Sequence, residues 1–204
     1  MTTTSCERFM LWIDGVGAWL VCAGWQFQVG GPTLEGVSAD ICLMADISRH
    51  HATFEKIQEE WFIRALHPTV VSGKSVSDRC LLKSGDEIRL GNRLRLGFRT
   101  PSVLSGTAVI DFVSHHRPQR SVNGIILMTD SCQLGPRSDQ HVCCPDWPGQ
   151  VVLFQQQGQI RIRSSLELTV NGTRLQNGAE LADGSTVCSG DLRFRVERLS
   201  GQKA

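Results

Sequence analysis

Apolar residues along this chain recur in short runs divided by turn residues, and the 3.6-residue spacing of an amphipathic helix is almost absent. Phe9 to Ile13 is an apolar run closed by Asp14-Gly15, and Ala18 to Cys22 follows it. The pair predicts a β-hairpin. Trp25 to Val29 alternates ahead of Gly30-Gly31-Pro32, and Ala52 to Phe54 and Trp61 to Ala65 flank a charged turn at Gln58-Glu59-Glu60. Ile88-Arg89-Leu90 and Leu94-Arg95-Leu96 alternate apolar with charged residues around Gly91-Asn92. Such alternation marks strands with one buried and one wet face. Short strands at this spacing predict an all-β sandwich or barrel.

The pattern then begins again. Ala108 to Val113 reads like Phe9 to Ile13, and Gly124 to Met128 follows a second hairpin turn at Asn123-Gly124. At an offset of 99 residues, Ile63-Arg64 falls on Ile162-Arg163, and Val71 and Gly73 fall on Val170 and Gly172. Leu82, Gly85 and Gly91 fall on Leu181, Gly184 and Gly190 at the same offset, and one residue of slippage brings Leu94-Arg95 onto Leu192-Arg193. A self-similarity of this kind predicts two copies of one small β domain. The boundary falls near Arg99 to Gly106, giving expected domains at 1–99 and 107–200 that sit close together.

Composition narrows the classes. Lys plus Arg is 21 against 20 Asp plus Glu, a formal net charge of +1, which argues against a dedicated nucleic-acid binder or a polybasic membrane anchor. The arginines of Arg89 to Arg99 and Arg193 to Arg198 read as wet strand faces. Hydrophobic residues make up 41%, enough for a core, and no run approaches the roughly 18 consecutive apolar residues of a membrane span. Met1 to Glu7 is polar and carries no secretory pattern, so the expected setting is cytoplasmic, with reduced thiols at all eight cysteines.

Catalytic and metal signatures are missing from the sequence. There is no C-x-x-C pair, G-x-S-x-G elbow, H-E-x-x-H or P-loop, so neither an enzyme nor a cofactor is expected. His141 with Cys143 offers two metal ligands at most, and the adjacent pairs His50-His51 and His115-His116 are expected to be poor metal sites, because adjacent strand residues diverge. No metal is expected. Trp12, Trp19, Trp25 and Trp61 are assigned to the core, whereas Trp147 lies in a Pro-flanked loop and is the expected exposed anchor for a partner.

In order and spacing, several segments resemble the forkhead-associated (FHA) domain family. They are Ile47-Ser48-Arg49-His50-His51-Ala52, then Thr69-Val70-Val71-Ser72-Gly73-Lys74, then Leu82 to Gly91 with Gly85-Asp86-Glu87-Ile88 inside it. The resemblance covers roughly Phe9 to Phe98. A second, degenerate stretch, roughly Thr107 to Leu199, keeps Val170-Asn171-Gly172-Thr173 and Leu181 to Val187. The resemblance implies two tandem antiparallel β-sandwich domains of the FHA/SMAD-like class, whose loops at one end bind a phosphothreonine peptide. A phosphate dianion calls for hydroxyl or N–H donors and a cation.

Carried over residue by residue, the resemblance implies that Ser48 donates to the phosphate and Arg49 adds a charge-assisted bond. His51 would brace the loops, with Gly30 and Gly73 holding their turns. The family's ligand-binding arginine falls at Gly31 and its asparagine at His67, so two strong contacts are absent. His67 and Ser72 complete the candidate set. In the second stretch the Gly-Arg turn falls at Gly135-Pro136 with Arg137 one place late, Trp147 to Gln150 replaces the Ser-Arg-x-His segment, and Leu166 replaces the asparagine.

The expected function is a non-catalytic protein-interaction module. Its first domain would be a weakened or altered phosphothreonine reader, and its partner a protein phosphorylated by a Ser/Thr kinase. No nucleic acid or membrane is expected as a partner. The alternative is a phosphate-independent scaffold or oligomerisation unit built from two degenerate domains.

Overall fold

The computed structural model describes residues 6–33, 39–176 and 178–199. The polar start at residues 1–5 and the expected domain limit at 200 lie outside them. The described residues form an all-β structure. Its first eleven strands are β1 Glu7–Ile13, β2 Gly17–Ala23, β3 Gln26–Gly30, β4 Ile41–Cys42, β5 Ala52–Ile57, β6 Glu60–Ala65, β7 Thr69–Val71, β8 Lys74–Val76, β9 Arg79–Leu82, β10 Glu87–Leu90 and β11 Leu94–Arg99. The remainder are β12 Ala108–Phe112, β13 Gly124–Met128, β14 Ser131–Gly135, β15 Val142–Cys143, β16 Val151–Gln156, β17 Gln159–Ser164, β18 Thr169–Val170, β19 Thr173–Arg174, β20 Ala179–Glu180, β21 Thr186–Ser189 and β22 Leu192–Arg198. No helix long and apolar enough to cross a membrane occurs among the described residues.

One twelve-stranded sheet runs through the molecule in the order β19-β18-β21-β22-β1-β2-β13-β12-β11-β10-β7-β8. Two five-stranded sheets complete the sandwiches, β4-β3-β5-β6-β9 and β15-β14-β16-β17-β20. At the centre β2 and β13 run parallel, with Trp19 opposite Gly124 and Ala23 opposite Met128. Strand β1 lies between β2 and β22, so Leu11 pairs with both Trp19 and Val196. Strand β12 lies beside β11, with Phe98 opposite Ile110.

The four central strands serve two cores. In β1, Phe9, Leu11 and Ile13 enter the core of the second half, whereas Met10 enters that of the first. In β2, Trp19, Val21 and Ala23 face the second core and Ala18, Leu20 and Cys22 the first. In β13, Ile126 and Met128 face the second, Ile125 and Leu127 the first. This explains the unbroken apolar runs: a strand buried on both faces has no wet side to alternate with. Strands β10, β11 and β22 have one wet face, and there Arg89, Arg95, Arg193 and Arg195 alternate outward between buried neighbours.

Turn chemistry fixes the hairpins. Ser72-Gly73 joins β7 to β8 with φ of 45° and 81°, and Asn171-Gly172 joins β18 to β19 with φ of 50° and 81°. Two central residues with positive φ suit the right-handed twist of the flanking strands. Asn123-Gly124 is not a tight turn. A long segment, 113–123, joins β12 to β13, and the Asn123 side chain accepts a hydrogen bond from the Ala18 amide at 2.9 Å.

The linker after β11 is fastened at its far end. The Trp61 indole donates to the Gly106 carbonyl at 2.8 Å, and the Ser105 hydroxyl donates to Asp130 at 2.8 Å. Just ahead of these anchors Val103 and Leu104 are 99% and 84% exposed.

The tryptophans depart from expectation. Trp147 is buried, 5% exposed, with its ring centroid 6.0 Å from Phe194, so the expected exposed anchor is a core residue of the second half. Its loop turns at Pro145-Asp146, where the Trp147 amide donates to the Cys144 carbonyl at 3.1 Å. Trp25 is 60% exposed in the bend between β2 and β3, and Trp12 is 37% exposed near the end of β1, where the face that buries Met10 runs out to solvent.

Candidate functional site

At one end of the first sandwich four loops converge: the exit of β3 at Gly30-Gly31, residues 43–50 between β4 and β5, residues 66–68 between β6 and β7, and the β10–β11 turn at Gly91. Gly30 and Gly31 lie flat against the second of these. A Cβ on Gly30 would stand 1.6 Å from the Arg49 carbonyl oxygen, and one on Gly31 would stand 2.4 Å from that of Ile47. The Gly31 amide donates to the Ser48 carbonyl at 2.9 Å. Glycine is required at both places by backbone approach rather than by torsion.

His51 joins two of the loops. It is 2% exposed. Its Nδ1 accepts a hydrogen bond from the Ser48 amide at 3.4 Å, and its Nε2 lies 3.0 Å from the Pro68 carbonyl oxygen. The contact with Pro68 requires the proton on Nε2, so the neutral tautomer satisfies both partners. Burial holds the His51 pKa below the ordinary histidine value; the Pro68 hydrogen bond opposes this, and the nearby His67 reinforces it. The Pro68 carbonyl also accepts from the Gly91 amide at 3.0 Å, and the His51 carbonyl accepts from the amides of Leu66 and His67 at 3.0 and 3.1 Å. The His67 ring is exposed, 5.5 Å from the His51 ring.

Of the sequence candidates, Ser48, Arg49, His51, His67 and Gly30 come together at this end. Ser48 is half-buried and Arg49 exposed, and among the described residues neither the Ser48 hydroxyl nor the Arg49 guanidinium has a hydrogen-bond or ion-pair partner. Ser72 and Gly73 do not join the cluster. They sit at the far end of β7, about 10 Å of strand away from His67. The Ser72 hydroxyl donates to Asp86 at 2.6 Å, and the other Asp86 oxygen accepts from the Lys83 amide at 2.7 Å. Ser72 therefore ties two turns together and presents a carboxylate, not a cation, beside it.

The corresponding end of the second half is built otherwise. The Arg137 guanidinium is held by Asp139 through two bonds of 2.9 and 2.8 Å, so its charge is already matched. Leu166 packs over Gly149, where a Cβ would stand 3.1 Å from the leucine side chain. His141 is fully buried and its Nδ1 accepts from the Gln133 amide at 2.9 Å, while Cys143 is exposed, so the two do not converge as ligands. His115 and His116, by contrast, do not diverge. They lie in the loop after β12 with ring centroids 4.2 Å apart, and adjacent-residue divergence holds only within a strand.

The class is that of a β-sandwich with these loops clustered at one end. Residues 36–91 of the chain match the FHA domain family model. Among solved structures, the chain is similar to the FHA domain of the CT664 protein of Chlamydia trachomatis, with 24% identity over 41% of this chain and 89% of that one, and a TM-score of 0.31. It is also similar to a structure from a structural and functional analysis of phosphothreonine-dependent FHA domain interactions, with 26% identity over 41% and 88% of the two chains and a TM-score of 0.30. A third is the N-terminal FHA domain of EssC, a component of the bacterial type VII secretion apparatus, with 13% identity over 96% and 95% and a TM-score of 0.26. No curated protein sequence gives a significant match.

Proposed function

We propose that this protein is a non-catalytic interaction module that binds a partner protein through a phosphothreonine-containing segment, using the loop end of its first sandwich. The observation that carries this reading is the pair of uncommitted donors, the Ser48 hydroxyl and the Arg49 guanidinium, on a loop braced by His51. A hydroxyl and a guanidinium on a rigid loop are suited to a phosphate dianion. His67 adds a donor for a peptide carbonyl. Affinity is reduced because position 31 offers no arginine. The match over residues 36–91 agrees with an interaction role. The second half acts as a companion domain of the same kind that has lost the phosphate set, and a Ser/Thr kinase in the same reducing, cytoplasmic setting supplies the modified partner.

The close approach of Gly31 to Ile47 favours a second reading, a phosphate-independent scaffold. Titration against phosphothreonine peptides and their unphosphorylated twins separates the two. Phosphate-dependent binding that falls about tenfold or more in Ser48→Ala or Arg49→Ala is expected, in line with the worth of hydrogen bonds to charged groups. Equal binding to both peptide sets overturns the phosphate reading in favour of the scaffold.

A further inference from the structure

The same end of the molecule carries a second cluster of basic side chains, contributed from the segment after β12. The segment between β12 and β13 crosses over to the first sandwich and is fastened there. Leu43 and Pro118 form an antiparallel bridge, and the Met44 amide donates to the Arg117 carbonyl at 2.9 Å. The amides of Val113 and Ser114 both donate to the Arg95 carbonyl at 3.1 Å. Between the two segments lies an open groove of about 570 Å³, whose lining includes Pro32, Met44, Asp46, His115, His116 and Arg117. Pro32 is the neighbour of Gly31, and Asp46 stands two residues before Ser48.

The groove is pre-arranged. The His115 and His116 rings stack, His116 Nδ1 lies 3.0 Å from the Ser114 hydroxyl, and the Arg117 guanidinium lies 4.5 Å from the Phe112 ring centroid. One terminal nitrogen of Arg117 donates to the carbonyls of Ser114 and His116 at 2.7 and 2.8 Å. Its other terminal nitrogen has no partner among the described residues. Around His116 stand His115 and Arg117 from its own loop, Arg93 from the β10–β11 turn, and Asp46 across the groove. Asp46 is the single acid of the lining, so protonated histidines would leave it strongly positive.

We infer that this groove is an anion-recognition site that takes a phosphate monoester carried by the partner, with His115, His116 and Arg117 supplying the charge that position 31 has no room for. The inference rests on the reading of this end as phosphopeptide-binding. Burial and the like charges crowded around it disfavour the protonated His116 imidazole while the groove is open, and a dianion opposes the charge part of that balance. In keeping with this, the pKa of His116 lies below the ordinary value, first through burial and then through His115, Arg93 and Arg117. Binding then takes up protons and strengthens as pH falls.

The test uses the full chain, with phenyl phosphate and a phosphothreonine peptide as probes and the imidazole resonances of His115 and His116 as readout. Both probes are expected to move the two resonances and to raise the titration midpoint of His116, and peptide affinity should be higher at about pH 6 than at about pH 8. The double variant His115→Gln/His116→Gln should weaken peptide binding about threefold to tenfold and flatten that pH dependence, and Asp46→Asn should strengthen binding. Histidine resonances unmoved by either probe, or a double variant that binds like the parent with the same pH dependence, overturn the inference. If in that case Ser48→Ala still abolishes phosphate-dependent binding, the functional reading stands without the groove. Resonances that respond to phenyl phosphate while phosphorylated and plain peptides bind alike keep the anion site and remove the peptide reading.

Discussion

Gly31 lies so close to Ile47 that a Cβ at position 31 would stand 2.4 Å from the Ile47 carbonyl oxygen and 3.1 Å from that of Ala45. The obstacle is backbone, which cannot swing aside as a flexible side chain would. Gly31→Ala should therefore cost about 1–3 kcal/mol, as overpacking does, read as a lower denaturation midpoint with an unchanged slope. Gly31→Arg should lose at least as much stability and gain no phosphopeptide affinity. A stable arginine variant that binds more tightly would show that residues 45–47 move away readily.

His141 gives the second half a pH dependence of its own. The side chain is fully buried, and its pKa is pushed down to about 4, first by burial and then by the charge of Arg99 against opposing hydrogen bonds. The unfolded chain has an ordinary histidine near 6.5 and so binds a proton first on acidification. Stability from this residue is whole above about pH 6.5 and is lost as pH falls towards 4, a total of about 3 kcal/mol. Urea titrations across that range check it, and His141→Gln should remove much of the slope. An unaltered slope in the variant would place the dependence elsewhere.

Trp147 and Trp25 should behave oppositely to their sequence contexts. Trp147→Ala removes a buried ring stacked on Phe194 and should cost about 3–5 kcal/mol. Trp25→Ala, at a site 60% exposed, should change stability by about 0.5 kcal/mol or less. Thermal or denaturant unfolding of the two variants decides the matter.

The strands were readable wherever one face is wet, as at Arg89 and Arg95, and wherever both are buried, as at Leu20 to Cys22. Residue pattern reports burial directly. It does not report which strand lies beside which. Nothing local to Phe9 to Ile13 says that its partner is Leu192 to Arg198 rather than Leu94 to Arg99, since both offer the same alternating apolar face. The site shows the same divide. The glycine at position 31 was visible as a missing cation, but the Ile47 carbonyl filling its place was not. The pair His115-His116 was visible, but its approach to Met44 and Asp46 depends on a crossing between the halves.

The sharing of β1 and β2 between the two cores has a measurable consequence. The second core draws Phe9, Leu11, Ile13, Trp19 and Val21 from β1 and β2, all of which precede the linker. At about 2 kcal/mol for each large buried side chain, their removal withdraws on the order of 10 kcal/mol, as much as the whole stability of an ordinary domain. Residues 107–204 expressed alone should therefore not form a folded monomer. Cleavage of the intact protein is a different matter, because the pairing of β1 with β22 and of β12 with β11 needs no covalent link once made. Val103 and Leu104 are the exposed place to cut. A protease site put there should yield two fragments that elute together and keep the β-sheet spectrum of the uncut chain, separating only in denaturant. Fragments that part under native conditions, or a monomeric 107–204 that unfolds cooperatively, would mean that each half completes its own sandwich and that β1 is not shared.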